Sequence, residues 1–287
     1  MSRILLIGGS GILGSEILRQ LQLGDFEYVA PRSSDLDIRD ADAVDKYLKD
    51  FNPEWVINCA AWTNVDGAEE FFDEACALNV SAVKNIAEIA RRMGSKVIHI
   101  STDYVFDGES SEPYDERSAV SPINKYGESK LKGEETLIAL LPTAYVVRTS
   151  WLYGASGKNF VKTIAGKALR KEPARVVNDQ VGSPTSARDL AQGIISIVKV
   201  QPEPGSYNFS NEGSCSWFEL AQTIYDKVGA SSAMVEPISS TSLAMTAKRP
   251  RFSLLSKEKW KSAGLSEVPN WESSLELLLP EIISELQ

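Results

Sequence analysis

The run Arg3-Ile-Leu-Leu-Ile-Gly-Gly-Ser-Gly-Ile-Leu-Gly14 decides how this sequence folds. A short apolar stretch, Ile4 to Ile7, gives way to glycines and then to a helical spacing of Ile12, Leu13, Ile17, Leu18 and Leu21. A continuously apolar strand reads as buried on both faces, as in a parallel sheet covered by helices. The glycines fit G-x-x-G-x-x-G through Gly8, Gly11 and Gly14, or G-x-G-x-x-G through Gly9, Gly11 and Gly14. Either way they allow a tight turn and let the backbone approach a pyrophosphate at the positive end of the following helix. The expected contacts are Gly8, Ser10, Gly11, Ile12, Leu13 and Gly14. The bland alternative is a glycine turn without a ligand. A strand before the loop and a helix after it favour the nucleotide.

Outward from this loop the pattern repeats. Tyr28-Val-Ala30, Trp55-Val-Ile57, Val97-Ile-His-Ile100 and Tyr145-Val-Val147 read as strands. Ala41–Phe51, Asp73–Met93 and Asn124–Leu141 read as helices between them. Alternation of this kind predicts an α/β fold, a Rossmann-type doubly wound parallel sheet. After about residue 150 strands become rarer, and Pro/Gly/Ser clusters appear at Gly182–Thr185, Gln201–Ser206 and Ser239–Thr241. The expected division is a nucleotide-binding domain over 1–150, joined by roughly 175–205. A smaller, discontinuous α/β substrate domain takes roughly 151–174 and 206–287.

Composition narrows the function. In 287 residues, 43% are hydrophobic and 24% charged, enough for a full core and too ordered a mixture for a disordered chain. Thirty Lys+Arg against 39 Asp+Glu give a net charge of −9, which repels nucleic-acid backbones. Cys59, Cys76 and Cys215 form no C-x-x-C pair, so neither a disulfide framework nor a zinc site is expected, and a reducing cytoplasm fits. One histidine, His99, excludes a His-rich metal site. No apolar run reaches the roughly 20 residues of a membrane span. The start, Met1 to Leu6, lacks the long apolar segment of a signal peptide.

The end of the second strand distinguishes NAD from NADP. A carboxylate there would grip the ribose 2′-hydroxyl. Here stands Pro31-Arg-Ser-Ser34, and Arg32 with two hydroxyls suits a 2′-phosphate. NADPH is expected, with NADH the alternative. Asp37 and Ile38 are expected beside the adenine, and Cys59, Ala60 and Ala61 where small side chains let a cofactor lie close.

Ser101-Thr-Asp-Tyr104 closes the fourth strand, and Tyr126-Gly-Glu-Ser-Lys130 opens a later helix. Tyrosine and lysine four apart share one helical face. The ammonium is expected to lower the phenol's pKa from about 10 towards neutrality, so that Tyr126 exchanges a proton with a carbonyl oxygen. Thr102 can hold that oxygen. Hydride transfer would belong to the nicotinamide. His99 reads as a hydrogen-bonded core residue, on a face the sequence leaves open.

These motifs resemble those of the extended short-chain dehydrogenases/reductases, and within them the dTDP-4-dehydrorhamnose reductase family. The likeness rests on Pro53–Asn58, Thr63-Asn-Val-Asp66 with Ala68-Glu69, Ile100–Gly108, Pro122–Tyr126 and Lys130–Glu134. It continues through Arg148–Gly154, Asn159-Phe160, Asp179–Thr185, Ser216-Trp217 and Arg249-Pro250, nearly the whole chain. The resemblance implies reduction of a 4-keto-6-deoxy nucleotide sugar. Tyr126 would be the acid, Lys130 its tuner and Thr102 the carbonyl holder. Asp103, Tyr104 and Trp151 would lie near the sugar, and Asn159, Gln180 and Arg249 near the nucleotide diphosphate. Some members are dimers with magnesium at the subunit contact. Glu16 matches one of their carboxylates, but Arg188 stands where a second would be expected, so no metal is expected, and the chain could be a monomer or a homodimer.

Three rivals remain. A 4,6-dehydratase would carry Asp-Glu after the threonine, whereas here Asp103-Tyr104 follows Thr102. A non-catalytic subunit such as the regulatory subunit of methionine adenosyltransferase resembles the same family, but the intact Thr102, Tyr126 and Lys130 speak for catalysis. A reductase of another nucleotide sugar, or of opposite stereochemistry, is compatible with every motif.

Overall fold

The computed structural model describes residues 2–286. Six strands, β1 (Ser2–Ile7), β2 (Phe26–Val29), β3 (Trp55–Asn58), β4 (Lys96–Thr102), β5 (Tyr145–Thr149) and β6 (Gly205–Asn208), form one sheet in the order β6-β5-β4-β3-β1-β2. Every pairing is parallel. The order reverses between β1 and β3, which opens a crevice at their carboxyl ends, where open α/β sheets bind ligands.

Helices cover both faces. On one lie α1 (Ile12–Leu23) and α6 (Ala187–Val200), with Ile17, Ile194 and Trp260 buried against Ile4, Leu6 and Ile57. On the other lie α2 (Ala41–Phe51), α3 (Ala82–Met93) and α4 (Lys125–Leu140), with Val44, Ile86 and Leu137 against Leu5, Val56 and Val146. Alternate residues of each strand feed the two cores, hence the unbroken apolar strands of the sequence. A separate core joins α5 (Phe160–Leu169), α7 (Trp217–Val228) and α8 (Trp271–Ser284) through Ile164, Leu220, Ile224 and Leu275. The segment 175–205 thus lends α6 to the first core, β6 begins where it ends, and Trp260 returns to the sheet from much later in the chain.

The helix expected over Asp73–Met93 holds one irregularity. Ala77–Ser81 is a π-helical turn leading into α3. Asn79 within it is buried and ties two elements together. Its amide oxygen accepts from Trp62 N–H at 2.8 Å, and its nitrogen donates to Ser129 Oγ at 2.8 Å. Such widened turns commonly serve functional sites, and this one fixes the loop after β3 to α4.

Helix α4 is anchored to the sheet by Glu134 and Arg148 of β5, 2.7 Å apart at the closest atoms, with side-chain exposures of 5% and 7%. Breaking such a pair from one side strands a buried charge. Glu134→Leu is expected to lower unfolding stability by about 3–5 kcal/mol in urea titration, and Glu134→Leu with Arg148→Met to recover part of it.

Candidate active site

The glycine loop is as tight as its sequence implies. Gly8 adopts φ +81°, open to glycine and strained for other residues. A Cβ there would meet Ala60 N at 2.7 Å, and one on Gly14 would meet the Gly8 carbonyl oxygen at 2.0 Å. The loop therefore lies directly on the end of β3, with α1 starting at Ile12. Its exposed face borders a cavity of about 1000 Å³. Gly8, Ser10, Gly11, Ile12, Leu13 and Gly14 all line it. So do Asp37, Ile38, Cys59, Ala60 and Ala61. Bare backbone at a helix start, and small residues opposite, fit a dinucleotide.

The same cavity continues past the ends of β4 and β5 to Thr102, Asp103, Tyr104, Tyr126, Lys130, Trp151 and Asn159. Thr102 ends β4, accepts from Tyr104 N–H at 3.2 Å and donates to Asp103 Oδ1 at 3.0 Å. Asn124 caps α4 by accepting from Gly127 N–H at 2.8 Å, which fixes the first turn carrying Tyr126. Tyr126 meets Tyr104 edge-to-face at 5.6 Å. Asn159 caps α5 and donates to the Gly154 carbonyl at 2.8 Å.

The electrostatics correct one expectation. The Tyr126 phenol is not lowered. Crowding by protein pushes it up to about 12, while the Thr102 hydroxyl draws it the other way. The Lys130 ammonium is engaged elsewhere, donating to the Ile100 carbonyl at 2.7 Å and lying 3.2 Å from His99 Nε2. Burial pulls Lys130 down to about 8, and the Glu134 carboxylate draws it back up. Tyr126 thus holds its proton firmly at neutral pH, the state a donor requires. Burial pushes the Cys59 thiol up to about 12.

Three expected residues stand off the cavity wall. Arg32 is exposed and pairs with Asp35 at 3.1 Å, while Ser33 and Arg39 line the wall in its place. Arg39 is bound to Asp37 at 2.7 Å. Arg249 reaches Asp66 at 2.7 Å and ties the segment around Ala247 to the loop after β3. Gln180 is buried away from the wall. The magnesium ligands do not fit either. Arg188 lies 3.7 Å from Glu16 and also bonds Glu281, so a guanidinium already neutralises these carboxylates. Among the described residues no three His, Cys, Asp or Glu converge as a metal site.

A family profile described as the RmlD substrate binding domain matches residues 1–284. The chain belongs to the RmlD family. A dTDP-4-dehydrorhamnose reductase of Streptomyces griseus is 37% identical over 98% of this chain and 94% of its own. A dTDP-4-keto-6-deoxy-D-glucose reductase of Streptomyces niveus is 36% identical over 97% and 96%. The crystal structure of dTDP-4-dehydrorhamnose reductase from Bacillus anthracis in complex with NADP superposes with a TM-score of 0.94, at 36% identity over 98% of this chain and 99% of that one.

This RmlD-family chain also holds a residue that the motifs mention without assigning a role. Trp217, at the start of α7, lies flat on Trp151, ring centroids 3.5 Å apart and 8° from parallel, and both line the cavity. Trp151 has φ +47°, a strained value for a bulky side chain, and Gly182 leaves room for its indole, since a Cβ there would meet Trp151 Cε2 at 2.5 Å. The sequence signal was only the pair Ser216-Trp217, because a helix-start tryptophan reads equally as core.

Asp103 is buried, and its Oδ2 has no hydrogen-bond partner among the described residues. Burial pushes its carboxyl from 3.8 up to about 7. The unfolded chain therefore ionises first, and stability falls as pH rises through this window and stays lower above it. Asp103→Asn is expected to add about 2–4 kcal/mol at pH near 8 and almost nothing near pH 4, measured by urea unfolding at both.

Proposed function

We propose that this chain reduces the C4 keto group of a dTDP-4-keto-6-deoxy-L-sugar with NADPH, giving dTDP-L-rhamnose. The carrying observation is one cavity that joins a pyrophosphate cradle to Thr102, Tyr126 and Lys130, in a chain whose full length matches named reductases. Bound along the glycine loop, NADPH would supply the hydride to C4. Tyr126 donates its phenolic proton to the C4 oxygen as negative charge develops there. For Thr102 to hold that oxygen, its hydroxyl must turn from Asp103. Asp103 and Tyr104 meet the sugar, and the Trp151–Trp217 pair offers flat apolar faces to a deoxysugar or a base.

The two named relatives differ in their 4-keto sugar. The L-sugar is the reading of the family resemblance. Nicotinamide oxidation with each keto sugar nucleotide, and NMR assignment of the product at C4, separates them. A dehydratase is disfavoured because position 104 is a tyrosine, whose phenol burial pushes up further still. The nucleotide half would be 1–150 with roughly 175–205, and the substrate half mainly the remainder. Three free cysteines suit the cytoplasm, and no described helix is long and apolar enough to cross a membrane.

Tyr126→Phe keeps the ring and removes the proton. Its kcat is expected to fall about 10²–10⁴-fold while NADPH binding survives. Near-normal turnover would assign the proton to another group. Arg32 pairs with Asp35 only at the surface, where ion pairs are worth about 0–1 kcal/mol, so it is free to turn to a 2′-phosphate. Arg32→Ala is expected to weaken NADPH binding by about 1.5–3 kcal/mol and to spare NADH, by calorimetry. The same loss in Arg39→Ala instead would give the role to the arginine on the wall.

A further inference from the structure

Behind Lys130 lies a buried polar chain that the reaction described above does not use. Asn58 ends β3 and His99 lies on β4, and the two are register partners, so their side chains share the α4 face of the sheet. Asn58 and His99 are each 1% exposed, as is Lys130. Asn58 Nδ2 lies 3.1 Å from His99 Nδ1, and Lys130 Nζ lies 3.2 Å from His99 Nε2.

Hydrogen-bond logic fixes the protons along this chain. The Ala60 backbone N–H, a donor only, points at Asn58 Oδ1 at 3.1 Å. The other amide atom of Asn58 is therefore its NH₂, and it donates to His99 Nδ1. A neutral imidazole that accepts at Nδ1 carries its hydrogen on Nε2. That N–H then points at Lys130 Nζ. Two donors cannot share a hydrogen bond, so an ammonium at this position is opposed by His99, whereas a neutral amine accepts from it. The amine keeps a hydrogen for the Ile100 carbonyl at 2.7 Å.

We propose that His99 is a positioning residue: held by Asn58 in the Nε2–H form, its imidazole aims a donor at Lys130 and so makes that lysine give up its proton readily. The proposal rests on the reading that Tyr126 and Lys130 serve reduction, and it adds a third and a fourth residue to that pair. The charged and titratable groups facing Lys130 are His99 from β4, Cys59 from the end of β3, and Glu134 from α4 itself. Cys59 stays a neutral thiol, and Glu134 is held by Arg148, so His99 is the group whose hydrogen decides the contact. Burial and the neighbouring lysine keep His99 itself from charging.

The chain contains a single histidine, so ¹⁵N-histidine labelling reports this imidazole alone. In the cofactor-free protein the spectrum is expected to show Nε2 protonated and Nδ1 bare across the neutral range. A protonated Nδ1, or charging of the ring near pH 6.5, overturns the proposal. Asn58→Asp is close in size, and its two oxygens can accept from both Ala60 N–H and Nδ1–H. It is expected to invert the tautomer and to raise the pH at which Lys130 titrates by about one unit, a tenfold change. Lys130 is followed by ¹³C-lysine NMR, its signal identified by Lys130→Met. In a His99→Gln background the same Asn58→Asp change is expected to move Lys130 much less. Equal shifts in both backgrounds assign the effect to charge alone and overturn the proposal, as does no shift in either. These readouts need no substrate. Loss of the expected sugar reduction with the tautomer intact would therefore refute the proposed reaction and leave the histidine's role standing.

Discussion

Helix α4 reaches its working position because its backbone lies against two carbonyl oxygens. A Cβ on Gly127 would come 2.1 Å from the Tyr104 oxygen, and one on Gly133 would come 2.1 Å from the Asn79 oxygen. Only glycine at both points lets the helix settle so near the end of β4. Tyr126 and Lys130 stand within that close contact, and Lys130 reaches the Ile100 carbonyl because of it. The buried Glu134–Arg148 pair and the Asn79 contacts then hold the helix from two further sides. Relaxing the approach by even an ångström would carry the phenol away from the Thr102 hydroxyl.

The interior thus built is polar where a Rossmann sheet is otherwise apolar. Asn58, His99, Thr102, Asp103, Lys130, Glu134 and Arg148 are all buried near the carboxyl ends of β3, β4 and β5. Charges and dipoles fixed in a medium of low dielectric need not reorganise when charge appears on a substrate oxygen, which is the main electrostatic advantage of an enzyme site. The cost is desolvation, visible in the upward displacement of Asp103 and Tyr126 and the downward displacement of Lys130.

The frame was legible in the sequence because glycine spacing and apolar runs are local. The five quoted strands and the loop from Gly8 to Gly14 lie where they were read. Other features depend on partners far along the chain, which no periodicity reports. Arg249 finds Asp66, Arg188 finds Glu16, and Trp217 finds Trp151. The direction of the Tyr126 displacement was misread for a related reason. Spacing shows that a lysine shares a helix face with a tyrosine, but not that its ammonium turns to a strand carbonyl. His99 could be assigned a face only once the register of β3 with β4 was known.

The tryptophan pair has a consequence beyond binding. Aromatic rings prefer an offset or an edge contact, and two indoles almost face to face at 3.5 Å are held by their surroundings rather than by mutual attraction. Rings so close and so parallel also share their excited states. Trp151 and Trp217 therefore form a native exciton couple, with a near-ultraviolet circular dichroism band set by their separation and twist. Trp151 follows β5 and Trp217 opens α7, both pack against the core of α5, α7 and α8, and both line the cavity, so the band is an unlabelled optical gauge of how that wall of the cavity is set.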